Sequence, residues 1–143
     1  MIDSSPMRSS IVLATGIFDV LHYGHFRLFD FGHEKAQEIG ADFVVGINSD
    51  ESVRKIRELD PFHTQYQRIE MISSIDSVSY VVVFDETTPA ALIETIAPSF
   101  YIKGGEYRLK AIPELAALNR AGGALLFFDC DFALHSTDAK RHL

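Results

Sequence analysis

The apolar runs at residues 10–15 (SIVLAT), 41–48 (ADFVVGIN), 79–84 (SYVVVF), 99–103 (SFYIK) and 123–129 (GALLFFD) constrain this chain more than any other feature. Each is short, and most are rich in β-branched or aromatic residues, so each reads as a strand. Near-continuous apolar runs mark strands covered on both faces. Between them lie stretches of helical period at 24–39, 49–60, 65–75, 88–97 and 112–122. Strands alternating with helices predict an α/β fold: a single domain with a five-stranded parallel sheet covered by helices on both faces. Gly40 and Gly122 read as helix stops. Ser49 or Asp50, and Thr88, read as N-caps, with Pro89 at the first helical position. The 143 residues suit one domain, 10–143, preceded by a loose polar tail, 1–9. That tail lacks the charged start and apolar core of a signal peptide.

Hydrophobic residues make up 47% of the chain, enough to build a core of this size. The formal net charge of −7 argues against a nucleic-acid binder, which would carry a basic face. It leaves room for an anionic small molecule in a locally basic pocket. No apolar run is long enough to span a bilayer. The expectation is therefore no nucleic acid and no membrane. Cys130 is the only cysteine, so there is no internal disulfide, and a reducing, cytoplasmic setting is expected.

In an open parallel sheet, ligands bind beyond the carboxyl ends of the strands. The residues following these strands are unusually rich in glycine and polar groups. After the first strand comes GIFDVLHYGH (16–25), and after the second come Asn48, Ser49 and the basic group Arg54, Lys55 and Arg57. Asp85 to Thr88 follow the third, and Lys103, Gly104, Gly105, Glu106 and Tyr107 the fourth. His22 and His25 sit where the first strand turns into a helix. Residues three apart share a helix face. A helix start also favours anions. Gly24, between the histidines, removes a side chain where a ligand would approach the backbone. Two imidazoles there suit phosphate handling, above all where charge builds up in a transition state. Two other readings of the pair are a half metal site with His33, and a purely structural role. Tyr66 and Tyr107 read as packing residues, Asp85 and Glu86 as loop caps.

GIFDVLHYGH resembles the G-x-F-D-x-x-H-x-G-H signature of the cytidylyltransferase-like nucleotidyltransferases. These enzymes have a Rossmann-like fold, join an NTP to a phosphorylated small molecule and release pyrophosphate. The resemblance extends over nearly the whole chain. VVGINSDESV (44–53), the run from Val81 to Tyr107 and the pair Ser136-Thr137 resemble the branch that includes heptose-1-phosphate adenylyltransferases. FHTQYQR (62–68) is similar to the matching segment of glycerol-3-phosphate cytidylyltransferases.

The resemblance implies a role for each matching residue. Thr15, Gly16, Ile17 and Phe18 would lie along the nucleotide. Asp19 would support the loop or hold Mg²⁺, the expected cofactor. His22 and His25, with Gly24 between them, would contact the triphosphate and stabilise the transferred α-phosphorus. Arg57 and Arg68 would neutralise phosphate charge. Lys103, Gly104 and Gly105, with Glu106 beside them, would border ribose and base. Ser136 and Thr137 would cap a last helix facing the β- and γ-phosphates. The implied partners are an NTP, with ATP favoured, and a phosphorylated sugar or polyol such as heptose 1-phosphate. A homodimer is implied as well. The alternatives are a CTP-dependent glycerol-3-phosphate cytidylyltransferase, transfer to a vitamin-like phosphate, or a non-catalytic nucleotide-binding subunit. Asp131 and Asp138 flanking the Ser-Thr pair suggest the last of these, because acids near a triphosphate cost Coulomb energy.

Overall fold

The computed structural model describes residues 10–130. The tail 1–9, the Ser136-Thr137 pair, Asp131 and Asp138 lie outside the described residues. Five strands, β1 (Ile11–Gly16), β2 (Asp42–Asn48), β3 (Tyr80–Phe84), β4 (Phe100–Gly104) and β5 (Ala124–Phe128), form one sheet. All pairings are parallel, in the order β3-β2-β1-β4-β5. The helices are α1 (Tyr23–Ile39), α2 (Asp50–Arg57), α3 (Gln65–Ser73), α4 (Ala90–Ile96) and α5 (Leu115–Arg120), with a 3₁₀ turn at Gly105–Tyr107. The expected α/β architecture is present, with element ends shifted by a few residues at most.

Successive strand side chains point to opposite faces, and this period divides the core in two. Val12 and Ala14 of β1, with Phe43, Val45 and Ile47 of β2, pack with Phe29 and Ala36 of α1 and Ile72 of α3. Ile11, Leu13 and Val44 turn the other way, onto Ile93 of α4 and Ala117 and Leu118 of α5. The buried apolar residues of β1 and β2 thus meet helices on both faces, which is why these runs carry so few polar positions.

Local chemistry sets the helix ends. Gly40 takes the left-handed conformation at φ 66° and closes α1. Ser49 caps α2 by accepting from Ser52 N, and Thr64 and Gln67 form a reciprocal capping box on α3. Pro89 occupies the cap position of α4, one residue before the expected place, and Thr88 Oγ1 accepts from Ala90 N at 3.5 Å. Among the described residues no helix is long and apolar enough to cross a membrane.

The chain builds β2 and β3 on one side of β1 and then returns to build β4 and β5 on the other. Strand order therefore reverses between β1 and β4, and the loops leaving their carboxyl ends diverge. A crevice opens at that point.

Candidate active site

The crevice is a cavity of about 940 Å³, at the large end of the range for small-molecule sites. The β1 end supplies Thr15 to Asp19, and the start of α1 supplies His22, Gly24 and His25. Arg57 enters from α2, and Lys103 to Tyr107 enter from β4. Of the site residues expected from sequence, Arg68 is the only one within the described residues that does not reach the wall.

His22 is the N-cap of α1, and its Nδ1 accepts from the Gly24 amide at 3.0 Å. His25 Nδ1 accepts in turn from the His22 amide at 3.2 Å. A ring nitrogen that accepts carries no proton, so both neutral rings hold theirs on Nε2. The rings stack with centroids 3.8 Å apart. In each ring Nε2 is therefore the donor nitrogen, at the positive end of the α1 dipole. Burial, followed by the neighbouring His22, pulls the His25 pKa down to about 4, with Glu106 opposing. His25 is a neutral donor at neutral pH.

Gly24 lines the cavity beside the pair. A Cβ at this position would lie 2.9 Å from His22 Cε1. The missing side chain makes room for the folded His22 ring. Phe18 packs against His25. Its φ of 50° is unusual for a bulky residue. That conformation accompanies a buried ring lying edge-on to both His25 (5.3 Å) and Phe29 (5.2 Å).

Asp19 anchors a loop. Its Oδ2 accepts from Phe62 N at 2.7 Å and its Oδ1 from His63 N at 2.8 Å. Burial alone would raise its pKa. Those two amides, with the charges of Arg68 and His63, outweigh burial and hold the carboxyl below its ordinary value. No group of three or more His, Cys, Asp or Glu side chains suited to a metal occurs among the described residues. His33 therefore forms no ligand set with the histidine pair there. Asp19 is the carboxylate that the resemblance offers to Mg²⁺, and both of its oxygens accept from backbone amides.

Arg68 stands apart. It is fully buried and makes four hydrogen bonds to protein. Nε donates to His63 O at 3.1 Å, Nη1 to Ile17 O at 3.0 Å and Asn48 O at 2.6 Å, and Nη2 to Asp50 Oδ1 at 2.8 Å. The expected phosphate contact gives way to a bracing role that ties the ends of β1 and β2 to the loop before α3. That brace, with the Asp19 anchor, fixes the segment following Arg57. Of the three basic residues of α2, Arg54 pairs with Asp60 at 3.2 Å and Lys55 with Glu51 at 3.4 Å. Arg57 has no acidic partner among the described residues and lines the cavity. Tyr66, expected to pack, is 75% exposed.

Two residues of the wall and its backing were not anticipated. Glu114 lies just before α5, lines the cavity and is 4% exposed. Tyr101 of β4 donates to it. The only sequence signal was an acid in an otherwise apolar segment, IPEL, which equally suits the start of a helix. Nearby, Asp129 pairs with Arg108, and a Cβ on Gly105 would collide with the Asp129 carboxylate.

The profile of the cytidylyltransferase-like family matches residues 13–123, from within β1 to the residue before β5. Curated relatives are the bifunctional proteins HldE. The chain is 44% identical to that of Wolinella succinogenes over 103 residues, covering 71% of this chain and 21% of the relative. It is 39% identical to that of Geobacter sulfurreducens over 114 residues, covering 79% and 22%. The chain thus spans about a fifth of the length of the relatives it matches. Among solved structures, the lipopolysaccharide core biosynthesis protein of Thermoplasma volcanium superposes with a TM-score of 0.63 at 23% identity, covering 85% of this chain and 96% of that one. That likeness shows the shared Rossmann-like fold. By its family profile and its relatives, this chain belongs to the cytidylyltransferase-like family.

Proposed function

We propose that the chain transfers the nucleoside monophosphate of an NTP, ATP in preference, to a sugar phosphate such as heptose 1-phosphate and releases pyrophosphate. The observation that carries this reading is the stacked His22–His25 pair. It holds two donors of fixed tautomer at a helix start, in a cavity placed at the reversal of strand order. The similarity to the HldE proteins supports it.

In this reaction an oxygen of the acceptor phosphate attacks the α-phosphorus, and the bond from that phosphorus to the bridging oxygen of pyrophosphate breaks. No general base is needed, because a phosphate monoester is already ionised at neutral pH. The chain contributes alignment and preorganised charge. His22 and His25 donate Nε2–H to phosphate oxygens on which charge accumulates. Arg57 neutralises phosphate from the end of α2. Asp19 and Arg68 hold the loops that carry these groups. Mg²⁺ chelated by the triphosphate would arrive with the substrate and screen its charge.

A homodimer and a cytoplasmic setting belong to the same reading. Leu59 (70% exposed), Phe62 (79%) and Tyr66 (75%) give segment 59–66 an apolar surface of the kind a second copy covers. Light scattering tests the dimer.

The deciding experiment is pyrophosphate release with Mg²⁺. ATP and CTP are crossed with heptose 1-phosphate, other sugar 1-phosphates and glycerol 3-phosphate. Release with ATP and a sugar 1-phosphate is expected. Release only with CTP and glycerol 3-phosphate reassigns both substrates. NTP binding without release on any acceptor makes the chain a nucleotide-binding subunit.

A further inference from the structure

A chain of hydrogen bonds runs along the β4 side of the cavity. Tyr101 donates its hydroxyl proton to Glu114 Oε2 at 2.5 Å. A phenol has one proton, so the 2.7 Å contact between Tyr101 and Thr15 must be donated by Thr15 Oγ1. Burial, then the Glu114 carboxylate, push the Tyr101 pKa upward, which keeps that proton in place. Glu114 Oε2 also lies 3.5 Å from Lys103 Nζ, and the two side chains are only 5% and 12% exposed. The Lys103 ammonium rests 4.1 Å from the Tyr107 ring centroid.

Lys103 is therefore a held cation whose charge is matched. A lysine beside a buried carboxylate is a poor counter-charge for a polyanion, because the two fields cancel over a few ångströms. Glu106 adds negative charge at the same strand end, its carboxylate filling the space beside Gly104. Arg57, which has no such partner among the described residues, lines the cavity from the end of α2, which follows β2.

We propose that Glu114 is a specificity-determining residue: by neutralising Lys103 it makes the β4 side of the cavity reject bare polyphosphate and accept the uncharged ribose-and-base end of a nucleotide. A neutral ammonium–carboxylate pair offers both donors and acceptors, which suits hydroxyls and base edges. It discriminates by withholding charge from the wrong ligand. The inference rests on the nucleotide reading above.

The test is calorimetric titration of ATP, CTP and inorganic tripolyphosphate into wild type, Glu114→Gln, Lys103→Met and the double variant, each first checked by thermal melting. Glutamine keeps an oxygen for Tyr101 and removes the charge. Wild type is expected to prefer ATP. Glu114→Gln is expected to bind tripolyphosphate about tenfold tighter, the effect of one unmatched charge in a partly screened cavity. The double variant, neutral again, is expected to recover the wild-type preference. If Glu114→Gln does not fold, Lys103→Met is read alone, and its preference for ATP should widen. Equal shifts for both ligands, with no recovery in the double variant, would be the mark of a structural role and would overturn the proposal. A wild type that binds neither ATP nor CTP overturns the nucleotide reading itself. A wild type whose preference for ATP ignores both substitutions overturns this inference alone.

Discussion

His22 and His25 stack at 3.8 Å, and each turns Nδ1 to a backbone amide. The remaining nitrogen of each ring is a donor whose tautomer is set by the helix start itself. His25→Ala should lower kcat by about a hundredfold or more, the scale for loss of one transition-state donor. His25→Gln should recover part of that loss, since its amide N–H can stand near the Nε2 position. NTP affinity, measured by calorimetry, should change far less than kcat in both. Near-normal turnover in His25→Ala would remove His25 from the mechanism.

The lowered pKa of His25 also makes a stability prediction. The unfolded chain protonates this imidazole near its ordinary 6.5, whereas the native chain resists until about 4. Between those values the unfolded state binds the extra proton, so stability is complete above the window and is lost as pH falls through it. Asp19 acts lower down. Its native carboxyl lies below the ordinary 3.8, and its contribution disappears only as pH drops through that native value. Melting temperature followed from pH 7 to 4 should fall less steeply in His25→Gln than in wild type. Identical slopes would contradict the assignment.

Asp19 separates two roles that the family resemblance left joined, loop support and metal binding. Its oxygens accept from Phe62 and His63 amides. Asp19→Asn puts an N–H₂ group against one of these donors, so segment 61–64 should loosen and Arg57 lose its position. KM for the phosphate substrates should rise by roughly tenfold, with a stability loss of about 1–3 kcal/mol. The Mg²⁺ concentration giving half-maximal rate should stay as in wild type. A large shift in that concentration would point to direct metal binding.

Arg68 donates to three carbonyls and one carboxylate from three separate places in the chain. Arg68→Met should destabilise the fold by about 3–5 kcal/mol, as expected when one partner of a buried ion pair is removed. Arg68→Lys should recover little of that, because a point ammonium cannot span a planar set of acceptors. Urea unfolding measures both. Full recovery by lysine would mean that charge alone matters at this position.

Arg68 also shows what sequence alone could not supply. The strands and helices were legible because burial on two faces leaves a local trace, such as Val12 and Ala14 against Ile11 and Leu13. The histidine pair was legible because its spacing sits within one turn of one helix. Arg68 reads locally as a charged residue on an amphipathic helix, and its burial is decided by carbonyls at Ile17, Asn48 and His63. Glu114 and Tyr101 meet through the β4–α5 connection, with no pattern in spacing to mark it. Gly24 was recognised as a position without room for a side chain, but the His22 ring that folds beside it left no mark in the spacing. Local periodicity encodes elements, whereas the pairing of polar groups across elements depends on the register of the finished sheet.

Arg57 provides the last prediction, because its neighbours act as internal controls. Arg54 and Lys55 lie on the same short helix, but each faces an acid, Asp60 or Glu51. Exposed pairs of that kind contribute little to stability, about 0–1 kcal/mol. Their charge is also already matched, so Arg54→Ala and Lys55→Ala should leave KM within about twofold, as surface substitutions with no special role do. Arg57→Ala should raise KM for a phosphate-bearing substrate by about tenfold or more while melting stays near wild type, the effect of losing one charged hydrogen bond to substrate. Added salt should weaken substrate binding in wild type more than in Arg57→Ala, since screening acts on the charge that the variant lacks. If all three substitutions behaved alike, the cation at 57 would be an ordinary solvated residue, and the phosphates would have to be neutralised from elsewhere on the wall.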